Sequence, residues 1–220
     1  MTKLALITGG TRGIGAAIAD NLSLDYKVVT VGRSAGATEQ GDLTDSNFRN
    51  YLVETYTPDL FINNAAALFL DKYKMIHVNG TVAVDLLFKF YDKMNQGQII
   101  NLSSISAERL TGVKEGEPRT AYALAKKFLK DSSLTLSNSR MKPIKVMCLS
   151  PSAVDTDMAR SLTEYRVKDE DYQNYNWDSS ICWARPQEIA SIVRWMIEQP
   201  EWINIPEMVV DNHYSKSFIW

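Results

Sequence analysis

Short apolar runs alternate along this chain with longer segments in which apolar residues recur at helical spacing. Residues 3–7 form a strand-type run, and Ile14, Ile18 and Leu22 then recur every four positions, which predicts a helix. Further strands are predicted at 27–31, at a segment ending in 41–43, and at 59–63, 98–103, 145–149 and 207–210. Because strands and helices alternate throughout, the pattern predicts an α/β fold, a Rossmann-type doubly wound parallel sheet in three layers, built as one domain over residues 1–220.

Further helices are predicted after a cap at Thr44 or Asp45, over 72–94, over 121–136, and from Pro186. The 72–94 pattern is interrupted at Asn79-Gly80, and segment 34–40 has no helical period, so the crossover helix there should be reduced or absent. Residues 105–121 are charged and rich in glycine, which predicts a loop. Residues 158–185 mix polar and aromatic side chains, which predicts a flap on the substrate side. The aromatic side chains either favour an apolar or ring-containing substrate or simply pack the flap itself.

The composition is that of an ordinary globular domain, since 45% of the 220 residues are hydrophobic and 23% are charged. A net charge of −2 without a long basic run argues against nucleic acid as a partner. No apolar stretch reaches the roughly 18–20 residues that cross a bilayer, and Met1 leads directly into a strand, so neither a membrane span nor a signal peptide is expected. We therefore expect a cytoplasmic protein.

The two cysteines and two histidines do not have the spacing of metal ligands, so no metal is expected. Cys148 lies in the apolar run 144–149 and is predicted to be a small core residue. His77 and His213 are interpreted as structural or surface residues.

A glycine-rich segment, Thr8-Gly-Gly-Thr-Arg-Gly-Ile-Gly15, joins the first strand to the first helix. Its glycines would allow a sharp turn and a close approach of the backbone to a pyrophosphate, whose charge the free N–H groups of the new helix would face. An ordinary turn also needs glycine, so the loop by itself predicts a phosphate site only weakly.

The residues after the second strand favour NADP over NAD. The acid that usually holds the ribose hydroxyls of NAD is missing, and Gly32 and Arg33 stand in its place. A guanidinium binds a 2′-phosphate through charge-assisted hydrogen bonds, so one arginine gives about a ten- to hundred-fold preference for NADP. Arg12 would reach the same phosphate from the glycine loop, and Asp42 would accept from the adenine amino group. Alternatively, both arginines are solvated surface residues.

These motifs and those that follow them resemble the short-chain dehydrogenase/reductase family over nearly the whole chain. The matching positions are the glycine motif Thr8, Gly9, Gly13 and Gly15, the turn Asn63-Asn64-Ala65-Ala66, the helix asparagine Asn79, the serine Ser104, the Tyr-x-x-x-Lys pair Tyr122 and Lys126, and Pro151-Ser152 with Thr156. Tyr-x-x-x-Lys is common by chance, but the full set in this order is specific.

The resemblance implies a nicotinamide dinucleotide cofactor, which the arginines favour as NADP(H), and a catalytic set of Asn79, Ser104, Tyr122 and Lys126. Together, the resemblance and the residues after the second and third strands predict cofactor contacts from Thr8, Gly9, Thr11, Arg12, Gly13, Ile14, Gly15, Arg33, Asp42, Leu43, Asn64, Ala65, Ala66, Tyr122, Lys126, Pro151, Ser152, Val154 and Thr156. It also implies a homodimer or homotetramer, with the long helices after Asn79 and Tyr122 pairing between subunits. The apolar end Phe218-Ile219-Trp220 is expected to pack on the body or on a partner subunit.

The predicted chemistry is a hydride transfer between nicotinamide and a carbonyl or alcohol substrate. Tyr122 and Lys126 are four residues apart and so share a helical face, and a neighbouring ammonium and an oxidised nicotinamide would lower the tyrosine pKa from about 10. Tyr122 would then donate a proton to the substrate oxygen, and Ser104 would hydrogen-bond to that oxygen. Lys126 would grip the ribose, and Asn79 would hold a water that links Lys126 to solvent.

Three positions depart from the family pattern without removing a catalytic group. Ala66 and Ser152 replace glycines, and residues 210–213 lack the paired glycines often found after the last strand. The segment between Ser104 and Tyr122 is longer than usual and is predicted to line the substrate mouth. The sequence therefore predicts an NADP(H)-dependent oxidoreductase, with a non-catalytic NADP(H)-sensing protein or an NAD-linked alcohol dehydrogenase as the alternatives.

Overall fold

A parallel β-sheet organises the computed structural model, which describes residues 2–108, 118–161 and 183–212. Within those ranges the sheet contains seven strands in the order β3-β2-β1-β4-β5-β6-β7, each parallel to its neighbours. The strands are β1 Lys3–Thr8, β2 Tyr26–Gly32, β3 Glu39–Gln40, β4 Leu60–Asn63, β5 Gly97–Leu102, β6 Ile144–Pro151 and β7 Glu207–Val210. The Rossmann-type fold predicted from the sequence is confirmed.

Helices cover both faces of this sheet. They are α1 Gly13–Leu22, α2 Ser46–Thr55, α3 Lys72–Ile76, α4 Ala83–Lys93, α5 Pro118–Ser139, α6 Asp157–Arg160 and α7 Pro186–Ile197. A π-helix, His77–Val82, joins α3 to α4, and a short 3₁₀ helix, Ile105–Ala107, follows β5.

The three layers result from the two-residue period of the strands. In β4, Leu60 and Ile62 belong to the core beneath α1 and α7, whereas Phe61 belongs to the core beneath α2, α4 and α5. The Phe61 ring lies 4.3 Å from that of Phe90, centroid to centroid. Because a doubly wound sheet is covered on both faces, its central strands are apolar runs. Such runs can be predicted from the sequence.

The predicted strands correspond to observed strands, with small differences at their ends. The third strand ends at Gln40, earlier than predicted, although the Gly41 N–H still donates to the Gly32 carbonyl over 2.9 Å. No helix lies between β2 and β3, as the polar segment 34–40 predicted. Cys148 is buried in β6 as a free thiol, also as predicted.

The helical predictions hold except around the loop predicted at 105–121. The break predicted at Asn79-Gly80 is the π-helix between α3 and α4. The loop prediction is wrong at both ends, because a 3₁₀ turn capped by Ser104 occupies 105–107 and α5 already begins at Pro118, a residue suited to a first helical turn.

Several predictions lie outside the described residues. They concern most of the flap at 158–185, the central part of the segment between Ser104 and Tyr122, Cys182, His213 and the C-terminal Phe218-Ile219-Trp220. Within the ranges that the structure describes, no helix combines the length and the apolar character needed to cross a membrane.

Candidate active site

A cavity of about 1240 Å³ opens at the carboxyl edge of the sheet. Because the strands are parallel, the segments that follow β1, β2, β4, β5 and β6 all reach this edge and contribute to its walls. All of the predicted site residues line the cavity except Thr8 and Asn79, which are buried behind its wall. The fold therefore brings together residues that are more than a hundred positions apart in the chain.

The glycine loop after β1 leaves no space for side chains at two positions. Gly9 has a φ of +67°, which glycine adopts readily, and a Cβ at Gly15 would lie 2.2 Å from the Gly9 carbonyl oxygen. Arg12 is the N-cap residue of α1, and its side chain makes no capping bond to the first turn. The first N–H groups of α1 therefore remain suited to an anion in the cavity.

Thr8 and Asn64 join the glycine loop to the turn after β4. The Thr8 hydroxyl accepts the backbone N–H groups of Asn64 and Ala65, each over 3.0 Å. The Asn64 amide donates to the carbonyls of Thr8 over 2.9 Å and of Gly9 over 3.2 Å. Thr8 thus shapes the cavity from behind its wall, and its predicted contact with the cofactor stays a prediction.

Arg12 and Arg33 stand on the cavity with exposed side chains. Neither guanidinium forms an ion pair with any residue in the described part of the chain. The Thr11 hydroxyl donates to that of Ser34 over 3.4 Å, which draws the glycine loop toward the turn after β2. Two positive charges without an ion-pair partner among the described residues therefore line the cavity.

Asp42 and Leu43 line the cavity next to that turn, as predicted. One carboxylate oxygen of Asp42 accepts from the backbone N–H and the hydroxyl of Thr44, each over 2.9 Å. These hydrogen bonds, with the nearby positive charge of Arg33, hold the pKa of Asp42 below its ordinary value. Asp42 is therefore a charged acceptor at neutral pH.

Ser104, Tyr122 and Lys126 meet at the middle of the cavity. Ser104 follows β5 and lies near the Tyr122 hydroxyl, whose pKa it lowers, and Lys126 lies one turn further along α5. The Lys126 Nζ donates to the Leu102 carbonyl over 2.7 Å and lies 5.8 Å from the centroid of the Tyr122 ring. The Ser103 hydroxyl donates to the Lys126 carbonyl over 3.0 Å, so β5 and α5 are tied on both sides of the site.

Burial dominates the pKa values of Tyr122 and Lys126. It raises the pKa of Tyr122 to about 12, and the nearby Ser104 side chain opposes this only in part. The predicted lowering by a neighbouring ammonium together with an oxidised nicotinamide stays a prediction. Burial also lowers the pKa of Lys126 to about 8, since its side chain is only 2% exposed.

Asn79 lies in the π-helix with its side chain fully buried. Its amide accepts from the Ala67 N–H over 2.9 Å and donates to the carbonyls of Ala67, over 2.7 Å, and Met75, over 3.0 Å. These bonds fix the segment after β4, where Ala65, Ala66 and Ala67 line the cavity. The structure therefore places Asn79 as a support for the wall.

The segment after β6 forms the remaining wall, which includes Pro151, Ser152, Val154 and Thr156. Ser152 does not have a positive φ, and its N–H donates to the Val210 carbonyl over 2.7 Å, so serine replaces glycine here without backbone strain. Asn212, in the tail that lacks glycines, donates to the Ala153 carbonyl over 2.8 Å. The departures from the family pattern at this wall are therefore accommodated.

Sequence reasoning missed several residues of the cavity wall, among them Ser34, Phe69, Lys74, Ser106 and Met158. Ser106 is the most informative, because its N–H donates to the Ser104 hydroxyl over 3.2 Å and the two hydroxyls also bond over 3.2 Å. The Ser-x-Ser spacing is typical of a short turn capped by serine and was the available signal. Among the residues that the structure describes, no group of three or more His, Cys, Asp or Glu side chains is placed to hold a metal ion.

Comparisons with known proteins agree with this geometry. A family model described as enoyl-(acyl carrier protein) reductase matches residues 57–215. The chain is 30% identical to a probable NADP-dependent dehydrogenase of Haemophilus influenzae, over 95% of this chain and 93% of that protein. It is 28% identical to a 3-oxoacyl-(acyl-carrier-protein) reductase of Chlamydia trachomatis, over 86% and 88% of the two chains.

Among solved structures, a short-chain dehydrogenase/reductase from Serratia marcescens matches with a TM-score of 0.77 at 25% identity, over 97% of this chain and 98% of that one. The family match spans most of the chain, and the relatives and the solved structure cover nearly all of it. The chain therefore belongs to the short-chain dehydrogenase/reductase family of oxidoreductases.

Proposed function

We propose that this protein is an NADP(H)-dependent oxidoreductase that transfers hydride between nicotinamide and a carbonyl or alcohol substrate. The observation that carries the proposal is the convergence of Ser104, Tyr122 and Lys126 on the same cavity as the glycine loop. A proton donor, a hydrogen-bonding hydroxyl and a buried cation beside a dinucleotide cradle are the groups that carbonyl reduction requires.

The residues present fit a bound dinucleotide phosphate. Gly9 and Gly15 let the glycine loop pack tightly on itself and on Asn64 at the cavity wall, and the cavity exceeds the roughly 300–1000 Å³ of an ordinary ligand site. Arg12 and Arg33 offer unpaired charges suited to a 2′-phosphate, and one relative is named as a probable NADP-dependent dehydrogenase. When bound, this cofactor supplies the hydride.

The chain's own residues would handle the proton. With a pKa of about 12, Tyr122 carries its proton at neutral pH, and it would donate that proton to a carbonyl oxygen in the reducing direction. Ser104 would donate to the same oxygen and stabilise its developing charge. Lys126 would hold the ribose hydroxyls. Asn79 supports the wall through Ala67, and its predicted water link to Lys126 stays a prediction.

We also propose that two or more copies associate through the outer faces of α4 and α5. Phe88 on α4, and Leu124 and Phe128 on α5, are 41–49% exposed in the single chain. Leu124 and Phe128 are four residues apart, so they form one apolar stripe on the side of α5 away from the cavity. Large apolar side chains grouped in this way are typical of a protein interface.

Replacing Tyr122 with phenylalanine tests the proton donor. Tyr122→Phe keeps the packed ring but removes the proton, so we expect kcat for NADPH-dependent carbonyl reduction to fall by about 10²–10⁴-fold with little change in NADPH affinity. The assay follows NADPH absorbance across a panel of ketones and aldehydes, with calorimetry for binding. Tyr73→Phe, at a 74% exposed position, is the matched control. Wild-type turnover in Tyr122→Phe would contradict the assignment, and binding without turnover in the wild type would favour a sensing protein.

Replacing Arg33 tests the choice of cofactor. Arg33→Ala removes charge-assisted hydrogen bonds to the 2′-phosphate, so the Kd for NADPH should rise about ten- to a hundred-fold while that for NADH changes little. Thermal shift and calorimetry with each cofactor measure this. Lys27→Ala removes an exposed positive charge from the far end of β2 and should leave both affinities unchanged. An equal loss of affinity for NADPH and NADH would mean that Arg33 does not recognise the 2′-phosphate.

Because of Lys126, the free energy of unfolding should change with pH in the alkaline range. Its pKa is about 8 in the folded chain against an ordinary 10.5, so between these values the unfolded chain binds more protons and stability rises with pH. Below pH 8 the buried charge costs about 3 kcal/mol, the free energy that corresponds to this pKa shift. We therefore expect Lys126→Met to be more stable than the wild type at pH 7, with the difference shrinking toward pH 10.5.

Urea unfolding of the cofactor-free protein at several pH values measures this difference. Lys127→Met, at a partly exposed neighbouring position, should show no such pH dependence. A constant loss of stability in Lys126→Met at every pH would show that Lys126 is not a strained buried cation.

A charged residue in the α5 stripe tests the proposed association. Phe128→Glu places a carboxylate in the interface, so we expect it to shift the wild-type oligomer to single chains in sedimentation velocity without changing the far-UV circular dichroism. Trp202→Glu changes an 85% exposed apolar residue outside α4 and α5 and should preserve the oligomer. A wild type that sediments as a single chain would contradict the proposal.

A further inference from the structure

One face of α5 carries a third residue besides Tyr122 and Lys126. Residues 122, 126 and 130 are spaced by four, so their side chains share a helical face. Each of them faces the segment 102–108 that carries Ser104. Tyr122 lies near Ser104, Lys126 Nζ donates to the Leu102 carbonyl over 2.7 Å, and Lys130 Nζ donates to Glu108 Oε2 over 2.6 Å. The third pair lies outside the set of residues used for the proposed chemistry.

Lys130 is an ion-paired lysine in a nearly closed environment. It is 8% exposed, and it contacts a second carboxylate oxygen, from Glu207 of β7, over 3.2 Å. Burial alone would lower the pKa of Lys130, but the bonds to Glu108 and Glu207 outweigh burial and raise it. Lys130 therefore stays charged at neutral pH and ties the 102–108 segment to both α5 and β7.

The position of Glu108 bears directly on that of Ser104. The two residues bracket a single 3₁₀ turn, in which the Ala107 N–H donates to the Ser104 carbonyl and the Glu108 N–H to the Ile105 carbonyl, each over 2.9 Å. A turn of this length is not stable by itself and takes its position from outside contacts. Ser103 supplies one such contact at the start of the turn, through the Lys126 carbonyl, and Lys130 supplies another at its end.

We propose that Lys130 is a positioning residue for the reaction, because its ion pair with Glu108 holds the Ser104 turn against α5 and so keeps the Ser104 hydroxyl on the side of the cavity that Tyr122 faces. The inference rests on the proposed function of Ser104 and Tyr122. Lys130 itself contacts neither substrate nor cofactor in this proposal. It acts on the reaction by aligning the hydroxyls of Ser104 and Tyr122.

Breaking the pair from either side provides the kinetic test. Glu108→Gln keeps the size of the side chain and Lys130→Met keeps its length, and each removes the charge attraction. We expect either change to lower kcat about ten- to a hundred-fold, the cost of a small misplacement of a reacting group, with KM for NADPH within about twofold. Lys130→Arg retains the charge and should recover most of the activity. Lys127→Met removes the neighbouring ion pair with Asp131 and should match the wild type.

Hydrogen exchange gives a readout that does not depend on turnover. The amides of Ala107 and Glu108 should exchange about tenfold faster or more in Glu108→Gln, because the turn is released from α5. Glu207→Gln removes the other carboxylate of Lys130 but leaves the pair with Glu108, so it should lower the melting temperature while keeping kcat and these two exchange rates at their wild-type values.

The possible results separate the two proposals. Unchanged exchange at Ala107 and Glu108 in Glu108→Gln would overturn the positioning role, as would a fall in kcat that is equally large in Glu207→Gln. Wild-type turnover in Tyr122→Phe would instead overturn the proposed function, and faster exchange in Glu108→Gln would still establish the tie to the Ser104 turn.

Discussion

The contact between α5 and the end of β5 is the constraint on which the candidate site depends. Lys126 donates from its side chain to the Leu102 carbonyl, and the Lys126 carbonyl in turn accepts from Ser103. These reciprocal bonds set the distance between the strand that carries Ser104 and the helix that carries Tyr122. The two hydroxyl donors that would act on the same substrate oxygen come from different elements, so their alignment is only as good as this contact.

Two lysines one turn apart on α5 show how the environment of a charge determines its pKa. Lys126 faces a neutral carbonyl and is nearly inaccessible, so burial lowers its pKa to about 8. Lys130 is almost as buried but faces two carboxylates, so its pKa is raised. Burial of the Lys126 charge lowers the stability of the fold and leaves an ammonium beside the cavity. The Lys130 charge, almost as buried, instead stabilises the contact of α5 with its two carboxylate partners. Spacing along the helix is the same in both cases, and only the partners differ.

Much of the architecture was predictable because the signals are local. The buried parallel strands are apolar runs, Pro186 marks the start of α7, and the pattern break at Asn79 became the π-helix. Two predicted site residues show the limit of local signals. Thr8 and Asn79 were predicted at the site as a cofactor contact and a catalytic group, and in the structure both hydrogen-bond to the backbone of neighbouring segments. A polar residue type at a given position does not reveal whether its partner is a ligand or a carbonyl from another part of the chain.

The sequence by itself determined the alternation of strands and helices, the glycine loop, the Tyr-x-x-x-Lys spacing and the absence of an acid after β2, because each of these is a short-range pattern. Only the tertiary structure decided that Lys126 points to Leu102, that Tyr122 has a raised pKa, and that Arg12 and Arg33 face the cavity without ion-pair partners among the described residues. The physical reason is that burial and electrostatic partners depend on which distant segments the parallel sheet brings to one edge, and a linear pattern does not contain that distance.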